Sequence, residues 1–390
     1  MVANGSPETT TTAHAATAPG LTVLPQGNPS RHRFWRGRSV LVTGAGGFLA
    51  SWLCRALVDA GADVIGIVRD STGERLLERH GVRQRMTVVH GSIVDYPLVE
   101  RVLNEYEADA VFHVAAQAIV GAANRSPLST FESNIKGTWN VLEACRVSRA
   151  TARLVVASSD KAYGDQAVLP YREDTALHGR YPYDASKVCT DVLARCYATT
   201  YDLPIAVTRC ANIFGGGDLN WSRLIPGTIR AVLAGEAPVI RSDGTPERDY
   251  LYIDDAVDAY LTLGARLGEP EVRGRAFNFG SGQPTSVLQL VGQILGAAGS
   301  SLEPRILGQA AGEIDRQFLD SSLARATLGW EPRVSLADGL RRTIAWYRTY
   351  LQEAVAGAEP ASTIVPLAAV AGVAPSPAGI PAPAVPAAGG

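Results

Sequence analysis

The stretch RSVLVTGAGGFLASWLCRALVDAGADVIGIVRD, residues 38–70, constrains the fold most, because it reads as strand, tight turn, helix, turn and strand. Val40, Leu41 and Val42 form a short apolar run that suits a strand buried on both faces. Phe48, Leu49, Trp52, Leu53, Ala56 and Leu57 recur at helical spacing and give one apolar stripe. Gly61 closes the helix, and DVIGIV is the second strand. Between first strand and helix stands Gly44-Ala45-Gly46-Gly47. Glycines let the backbone turn tightly and approach a pyrophosphate, whose charge the amino end of the helix attracts. Gly44 and Gly47 are three apart, and Ala50 fills the third small position, where the helix must pack closely on the strand. A glycine turn in that context predicts dinucleotide binding.

The alternation continues through MTVVHG (86–91), DAVFHV (109–114), ARLVVAS (152–158) and PIAVTR (204–209), each separated from the next by a helix-length segment. Such alternation indicates βαβ units. The expected fold class is therefore α/β, a Rossmann-like doubly wound parallel sheet over 34–209. From about Cys210 the pattern breaks into Gly- and Pro-rich pieces, with helical stretches near 221–234, 284–298 and 336–353. Residues 210–355 read as a smaller, mixed α/β substrate-binding lobe interleaved with the sheet at its carboxyl edge. Residues 1–33 and the Ala/Pro-rich 356–390 read as disordered tails.

Composition narrows the function classes. The chain has 390 residues, 46% of them hydrophobic and 19% charged, with a formal net charge of −2, which argues for a soluble protein without a nucleic-acid or membrane-surface partner. No signal peptide or unbroken membrane-spanning run is legible. Cys54, Cys145, Cys189, Cys196 and Cys210 are scattered, odd in number and without a CxxC pair, which fits a reducing cytoplasm better than a disulfide framework. The histidines lack ligand spacing, so no metal is expected. Cys189 reads as a helix cysteine, and Gly215-Gly216-Gly217 as either a phosphate cradle or a mobile loop.

The second strand ends Val68-Arg69-Asp70. An acidic residue there bonds ribose hydroxyls, whereas an arginine favours a 2′-phosphate. NAD is favoured because Asp70 would repel a phosphate, while Arg69 leaves NADP open. Farther along, YPYDASK (181–187) begins a helix that puts Tyr183 and Lys187 on one face, one turn apart. A neighbouring ammonium favours the phenolate, and a shift of ~3 units would represent about 4 kcal/mol. Such a tyrosine can serve as general base toward a hydroxyl. Upstream, VVASSDKAYG (155–164) ends an apolar run in Ser159, Asp160 and Lys161.

Taken together, TGAGGFLA, FHVAAQ (112–117), NIKGT (134–138), SSDKAYG, YDASK, RCANIFGGGD (209–218), RDYLYIDD (248–255) and LGWEP (328–332) occur in an order that resembles the extended short-chain dehydrogenase/reductases. The likeness covers about 38–350 and is specific to the NAD-dependent sugar-nucleotide epimerase/dehydratase group. It implies catalytic roles for Ser159, for Tyr183 as base and for Lys187 as its activator. It implies cofactor contacts from Gly44, Gly47, Phe48, Leu49, Arg69, Asp70, Ser92, Ile93, Ala115, Ala116, Gln117 and Asn134, as well as from Tyr183 and Lys187. Asn212 and Arg248 would help hold the diphosphate of a nucleotide-sugar substrate, with Arg223 near it. A homodimer built on helices near 126–147 and 183–200 is implied in the same way. Two positions depart from the pattern: Ser92 replaces a usual aspartate facing the adenine, and Phe214 a usual tyrosine.

Members of this group begin by oxidising C4 of the sugar. A 4-epimerase then returns the hydride to the other face of the turned sugar, and the relatives that do so usually carry small neutral residues after the serine. A 4,6-dehydratase must also remove the C5 proton and protonate the departing 6-hydroxyl, which calls for two ionisable groups of opposite role. Asp160 and Lys161 stand where dehydratases keep that pair. Asp-Lys resembles CDP-glucose 4,6-dehydratases and the dehydratases acting on N-acetylglucosamine nucleotides; GFLASWL and GGGDLNWSRLIP resemble the CDP-glucose enzymes, whereas GIVRDS is similar to GDP-mannose dehydratases. The sequence thus points to a nucleotide-sugar 4,6-dehydratase, with CDP-glucose the favoured substrate. A 4-epimerase is the alternative, and a nucleotide-sugar decarboxylase finds no added determinant. A non-catalytic NAD(P)-binding sensor on the same fold would typically have lost the tyrosine or the lysine.

Overall fold

The strands form where short apolar runs are bounded by glycine or polar turns. The computed structural model describes residues 33–70, 73–148, 150–309 and 314–356. Apart from Arg33 and Ala356, the two expected disordered tails lie outside these residues. The strands are β1 (Ser39–Thr43), β2 (Asp63–Val68), β3 (Thr87–His90), β4 (Ala110–His113), β5 (Arg153–Ala157), β6 (Ile205–Cys210) and β7 (Asn212–Phe214). They continue with β8 (Val239–Ile240), β9 (Glu247–Arg248), β10 (Tyr250–Tyr252), β11 (Ala276–Phe279), β12 (Thr285–Ser286), β13 (Arg305–Ile306) and β14 (Arg316–Gln317).

Among the described residues a 7-stranded sheet runs in the order β11-β6-β5-β4-β1-β2-β3. Every pair in it is parallel. The chain leaves β1 toward β2 and β3, then crosses back to place β4 on the other side of β1. That reversal opens a crevice above the carboxyl ends of β1 and β4, where open α/β sheets bind ligands. The β4 and β5 runs are buried at nearly every position, as expected with helices on both faces. One core holds Leu41, Ile65, Val111, Val141, Leu154, Val156 and Val207. Full burial of each such aliphatic side chain stabilises the fold by about 1.5–3 kcal/mol.

The expected carboxyl-terminal helices occur as Leu224–Leu233, Val287–Ala298 and Leu336–Ala356. Small strand pairs, β10 with β7 and β13 with β8, lie outside the main sheet, together with a 3-stranded sheet in the order β12-β9-β14. The segment after Cys210 also returns β11 to the edge of the main sheet beside β6. The described residues through Thr349 form one compact unit, and those from Tyr350 belong to a second. Among the described residues, no helix is long and apolar enough to cross a membrane.

Two buried histidines tie stability to pH. His113 bridges Thr43 Oγ1 (2.9 Å) and Thr138 Oγ1 (3.0 Å), and burial lowers its pKa to about 3. His80 packs edge-on to Trp52 at 4.2 Å, and neither ring nitrogen has a hydrogen-bond partner among the described residues. Burial, then Arg55 and Arg79, lower its pKa from 6.5 to about 3. Both rings stay neutral in the folded chain at pH values where the unfolded chain takes up a proton. Their contribution is therefore present above about pH 6.5 and lost as pH falls toward 3. Between pH 7 and 5, His80→Leu should spare about 2 kcal/mol of the stability that the wild type loses. Urea unfolding at the two pH values measures this, and equal losses in the two proteins would contradict it.

Candidate active site

The glycine turn lies at the carboxyl end of β1. Gly44 has φ +68°, and a Cβ there would sit 2.8 Å from Ala115 Cα, so side chains are excluded by both conformation and space. The Gly47 amide donates to Gly44 O at 2.8 Å, and Gly47 caps the helix Phe48–Asp59 without any side-chain acceptor. No acidic residue stands in that helix's first turn. Its leading amides, those of Phe48 and Leu49 included, therefore suit a pyrophosphate oxygen. On these observations the residues fit a dinucleotide.

The other expected cofactor residues ring the same crevice. Thr43 Oγ1 accepts from the amides of Val114 (3.2 Å) and Ala115 (3.1 Å), which shapes the loop that runs on through Ala116. Gln117 N donates to Asn134 Oδ1 at 2.7 Å, and Asn134 Nδ2 donates to Gln117 O and to Ser186 Oγ. Arg69 and Asp70, both exposed at the end of β2, pair with each other at 2.8 Å. Past β3, Ser92 Oγ accepts from the Val94 amide, while Ile93 is buried against Gly137. These last four residues lie on the β2–β3 side of the sheet. The Ser-Asp-Lys turn lies on the opposite side of β1, and the crevice spans the two groups.

That turn follows β5 directly. Ser159 Oγ accepts from the Lys161 amide (3.2 Å), starting the short 3-10 turn Asp160–Tyr163. Gly164 ends it at φ +67°, where a Cβ would strike His178 O at 2.3 Å. Ser159 Oγ in turn donates to Asp160 Oδ1 at 3.0 Å. Lys161 Nζ lies 3.7 Å from Asp160 Oδ2, with side chains 21% and 3% exposed. Acid and base are thus neighbours in a poorly hydrated turn.

Pro182 opens the helix Pro182–Tyr201, its fixed φ suited to the first turn. Tyr183 and Lys187 are both buried on it. Lys187 Nζ donates to Ala157 O (2.8 Å), and Ser158 Oγ donates to Lys187 O (3.1 Å), clamping the helix to the end of β5. The ammonium lies 5.9 Å from the Tyr183 ring centroid. Burial dominates the titration of both groups, raising Tyr183 to about 12 and lowering Lys187 to about 8. For Tyr183 the opposing pulls come from a hydrogen bond with Ser159 and from the charge of Arg223. The spacing on the helix alone points to Lys187 for that pull. The helical turn instead sets the ammonium beside the ring and spends one of its hydrogens on a carbonyl.

The carboxyl-terminal segment closes over this turn. The completely buried Asp249 carboxylate accepts from Ser281 N (2.9 Å), Gly282 N (3.0 Å) and Leu319 N (3.4 Å), tying β9 to β14. Arg248 and Gln317 are register partners on those strands. Arg248 Nη1 donates to Glu247 O and Asp315 O, and its charge helps lower the Lys161 pKa. Arg223 binds Asp218 at 2.9 Å and donates to Ala118 O at 3.4 Å. Asn212 Nδ2 donates to Asp249 O at 3.1 Å. Arg223 and Arg248 thus bring positive charge to the tyrosine and lysine respectively. The glycine triplet serves packing: Trp52 Nε1 donates to Gly216 O (2.8 Å), and a Cβ on Gly216 would enter the Trp346 ring at 2.3 Å.

Two members of the cluster escape the sequence reading. Asp184 is buried, and burial, with Asp160, raises its pKa to about 6 against the pull of Lys161. Gln317 is also fully buried, and it accepts from Lys161 Nζ. Its distance of 156 positions from Lys161 leaves no local signal. A compositional signal does exist. The chain has three lysines, Lys136, Lys161 and Lys187, and every other basic residue among its 36 is arginine. Lysine shifts its pKa on burial far more readily than arginine, so a scarce lysine marks a place where arginine would not serve. Two of the three meet here. Among the described residues no cluster of His, Cys, Asp and Glu could hold a metal ion.

The chain is similar in sequence and in structure to known proteins. The family model described as "NAD dependent epimerase/dehydratase family" matches residues 40–280. A UDP-glucose 4-epimerase of Mycolicibacterium smegmatis is 33% identical over 319 residues, covering 80% of this chain and 99% of that one. A CDP-glucose 4,6-dehydratase of Salmonella typhimurium is 29% identical over 334 residues, covering 82% and 93%. In structure, the chain is similar to a UDP-glucose 4-epimerase of Thermotoga maritima with UDP-glucose, at TM-score 0.74 and 30% identity over 80% of this chain and 99% of that one. A dTDP-glucose 4,6-dehydratase of Streptomyces venezuelae with NAD bound gives TM-score 0.73 and 29% identity, covering 80% and 97%. The matched residues include the glycine turn and the helix that carries Tyr183 and Lys187, and the chain belongs to the NAD-dependent epimerase/dehydratase family.

Proposed function

We propose that the chain is an NAD-dependent nucleotide-sugar 4,6-dehydratase, with CDP-glucose its favoured substrate. The observation that carries this reading is the Asp160–Lys161 pair, two groups of opposite charge 3.7 Å apart at the carboxyl end of β5. NAD, held at Gly44, Gly47 and the leading amides of the helix after them, would supply the hydride acceptor for C4 and the hydride donor for C6. Tyr183 accepts the proton of the 4-hydroxyl, while Ser159 holds the same oxygen. The C4 ketone acidifies the C5 hydrogen. Asp160 and Lys161 serve the proton transfers that remain: one takes the C5 proton, the other protonates the 6-hydroxyl as it leaves, and C5 regains a proton as the hydride arrives at C6. The net change is the loss of one water, giving a 4-keto-6-deoxy sugar. Asn212, Arg223 and Arg248 hold the diphosphate, the arginines by charge-assisted bonds. Binding of the dinucleotide draws on Gly44, Gly47 and the amino end of the helix after them, and Asp70 favours NAD over NADP.

A second reading, 4-epimerase, draws support from the 33% identity to the M. smegmatis enzyme. It uses Ser159, Tyr183 and Lys187 and leaves Asp160 and Lys161 without a task. Incubation with CDP-glucose, dTDP-glucose, GDP-mannose and UDP-glucose, followed by mass spectrometry, separates the two. Loss of water supports dehydration, whereas an unchanged mass with an altered sugar would overturn it.

The enzyme is further proposed to be a homodimer. Trp139, Val147, Val192 and Tyr201 are 41–49% exposed on the helices Gly137–Val147 and Pro182–Tyr201. A second copy covering these helices would remove that apolar surface from water. Sedimentation should give a dimer that Trp139→Glu converts to a monomer, and a monomeric wild type would refute the assembly.

A further inference from the structure

Lys161 carries up to three hydrogens on Nζ, yet among the described residues the one carboxylate oxygen within ion-pair distance, Asp160 Oδ2, stands at 3.7 Å, beyond hydrogen-bond reach. The nearest acceptor is instead Gln317 Oε1. Gln317 cannot turn its amide over without loss. Its Nε2 donates to Asp160 O at 3.1 Å, so a flip would set oxygen against carbonyl oxygen and NH2 against the lysine. Asp160 is fixed in turn, with Ser159 Oγ donating to Oδ1. The result is a closed chain of contacts: Ser159 to the Asp160 carboxylate, the Asp160 carbonyl to Gln317, and Gln317 to Lys161.

We propose that Gln317 is a positioning residue that holds the Lys161 ammonium in place beside Asp160. The proposal concerns how that pair is kept in working geometry; its catalytic consequence rests on the dehydratase reading. β14 is well suited to the task. It is clipped to β9 through Asp249, so the Gln317 backbone is set by a strand pairing independent of the Ser159–Tyr163 turn. The charged groups bearing on Lys161 are Asp160 from its own turn, Arg248 from β9 and Asp184 from the helix Pro182–Tyr201. Burial lowers the lysine pKa, Arg248 adds to that effect, and the two carboxylates oppose it. A neutral amide oxygen turned toward the ammonium favours the charged form without adding a third carboxylate.

The scarcity of lysine makes the test direct. Protein labelled with 13Cε-lysine should give signals from three residues, with Lys161 identified by the loss of its signal in Lys161→Met. In Gln317→Met, which keeps bulk but removes both amide contacts, the Lys161 pKa should fall by about one unit from the wild-type value. In Gln317→Glu it should rise. Opposite movements are the signature of an acceptor held against Nζ, because a packing role alone would move neither or both alike. In the dehydration assay, Gln317→Met should lower kcat about tenfold with KM for the sugar nucleotide unchanged, and Gln317→Glu should recover part of the loss. Lys161 titrating alike in all three proteins would overturn the proposal. If wild type dehydrates no sugar nucleotide while Lys161 still shifts in opposite directions, the positioning role stands and the dehydratase reading falls.

Discussion

Tyr183→Phe is expected to lower turnover of the sugar nucleotide by about 10²–10⁴-fold, with folding and NAD binding retained. The substitution deletes one oxygen and keeps the buried ring. The pH profile carries the same information. Tyr183 is raised to about 12, so its reactive phenolate is a small fraction that grows with pH. Lys187, lowered to about 8, loses its charge above that value and with it the favourable field for the phenolate. Turnover at low substrate should therefore climb with pH up to about 8 and then level off. Full turnover in the Phe variant, with NAD binding checked by calorimetry, would remove Tyr183 from the chemistry.

Asp160→Asn and Lys161→Met should each lower dehydration by about 10²–10⁴-fold while leaving KM nearly unchanged. Asparagine keeps the oxygen that accepts from Ser159 and loses the ability to exchange a proton at neutral pH. Methionine keeps the length of the lysine and loses its titrating head. Both changes leave the Tyr183 hydroxyl and the Lys187 ammonium in place, so the initial oxidation at C4 should survive in both. The expected kinetic pattern is a loss confined to kcat, read from the rate of the water-loss product. If both variants dehydrate at the full rate, the acid/base pair lies elsewhere.

Local periodicity carries most of this fold. The glycine turn, the amphipathic helix Phe48–Asp59 and the strand runs before 210 are legible because each is built from contiguous residues with one dominant period. The Ser159–Lys161 cluster and the Tyr183–Lys187 spacing are legible for the same reason. What depends on distant segments is not. Gln317 reaches Lys161 only because Asp249 binds the backbone at Leu319 and so pins β14 to β9, a strand pairing of 2 residues on each side. The glycine triplet at 215–217 illustrates the ambiguity of glycine: phosphate approach and tryptophan packing both demand a missing Cβ, and here Trp346 fills the space. The titration of Tyr183 also escaped a pairwise view, since burial outweighs any one neighbouring charge.

Dehydration leaves an isotopic record that inversion does not. CDP-glucose incubated with the enzyme and NAD in deuterated water should yield a product lighter by one water and carrying solvent deuterium at C5, because the proton removed there is replaced from the medium. A product isomeric with CDP-glucose, without deuterium at C5, would contradict the assignment of Asp160 and Lys161 and make the chain an epimerase.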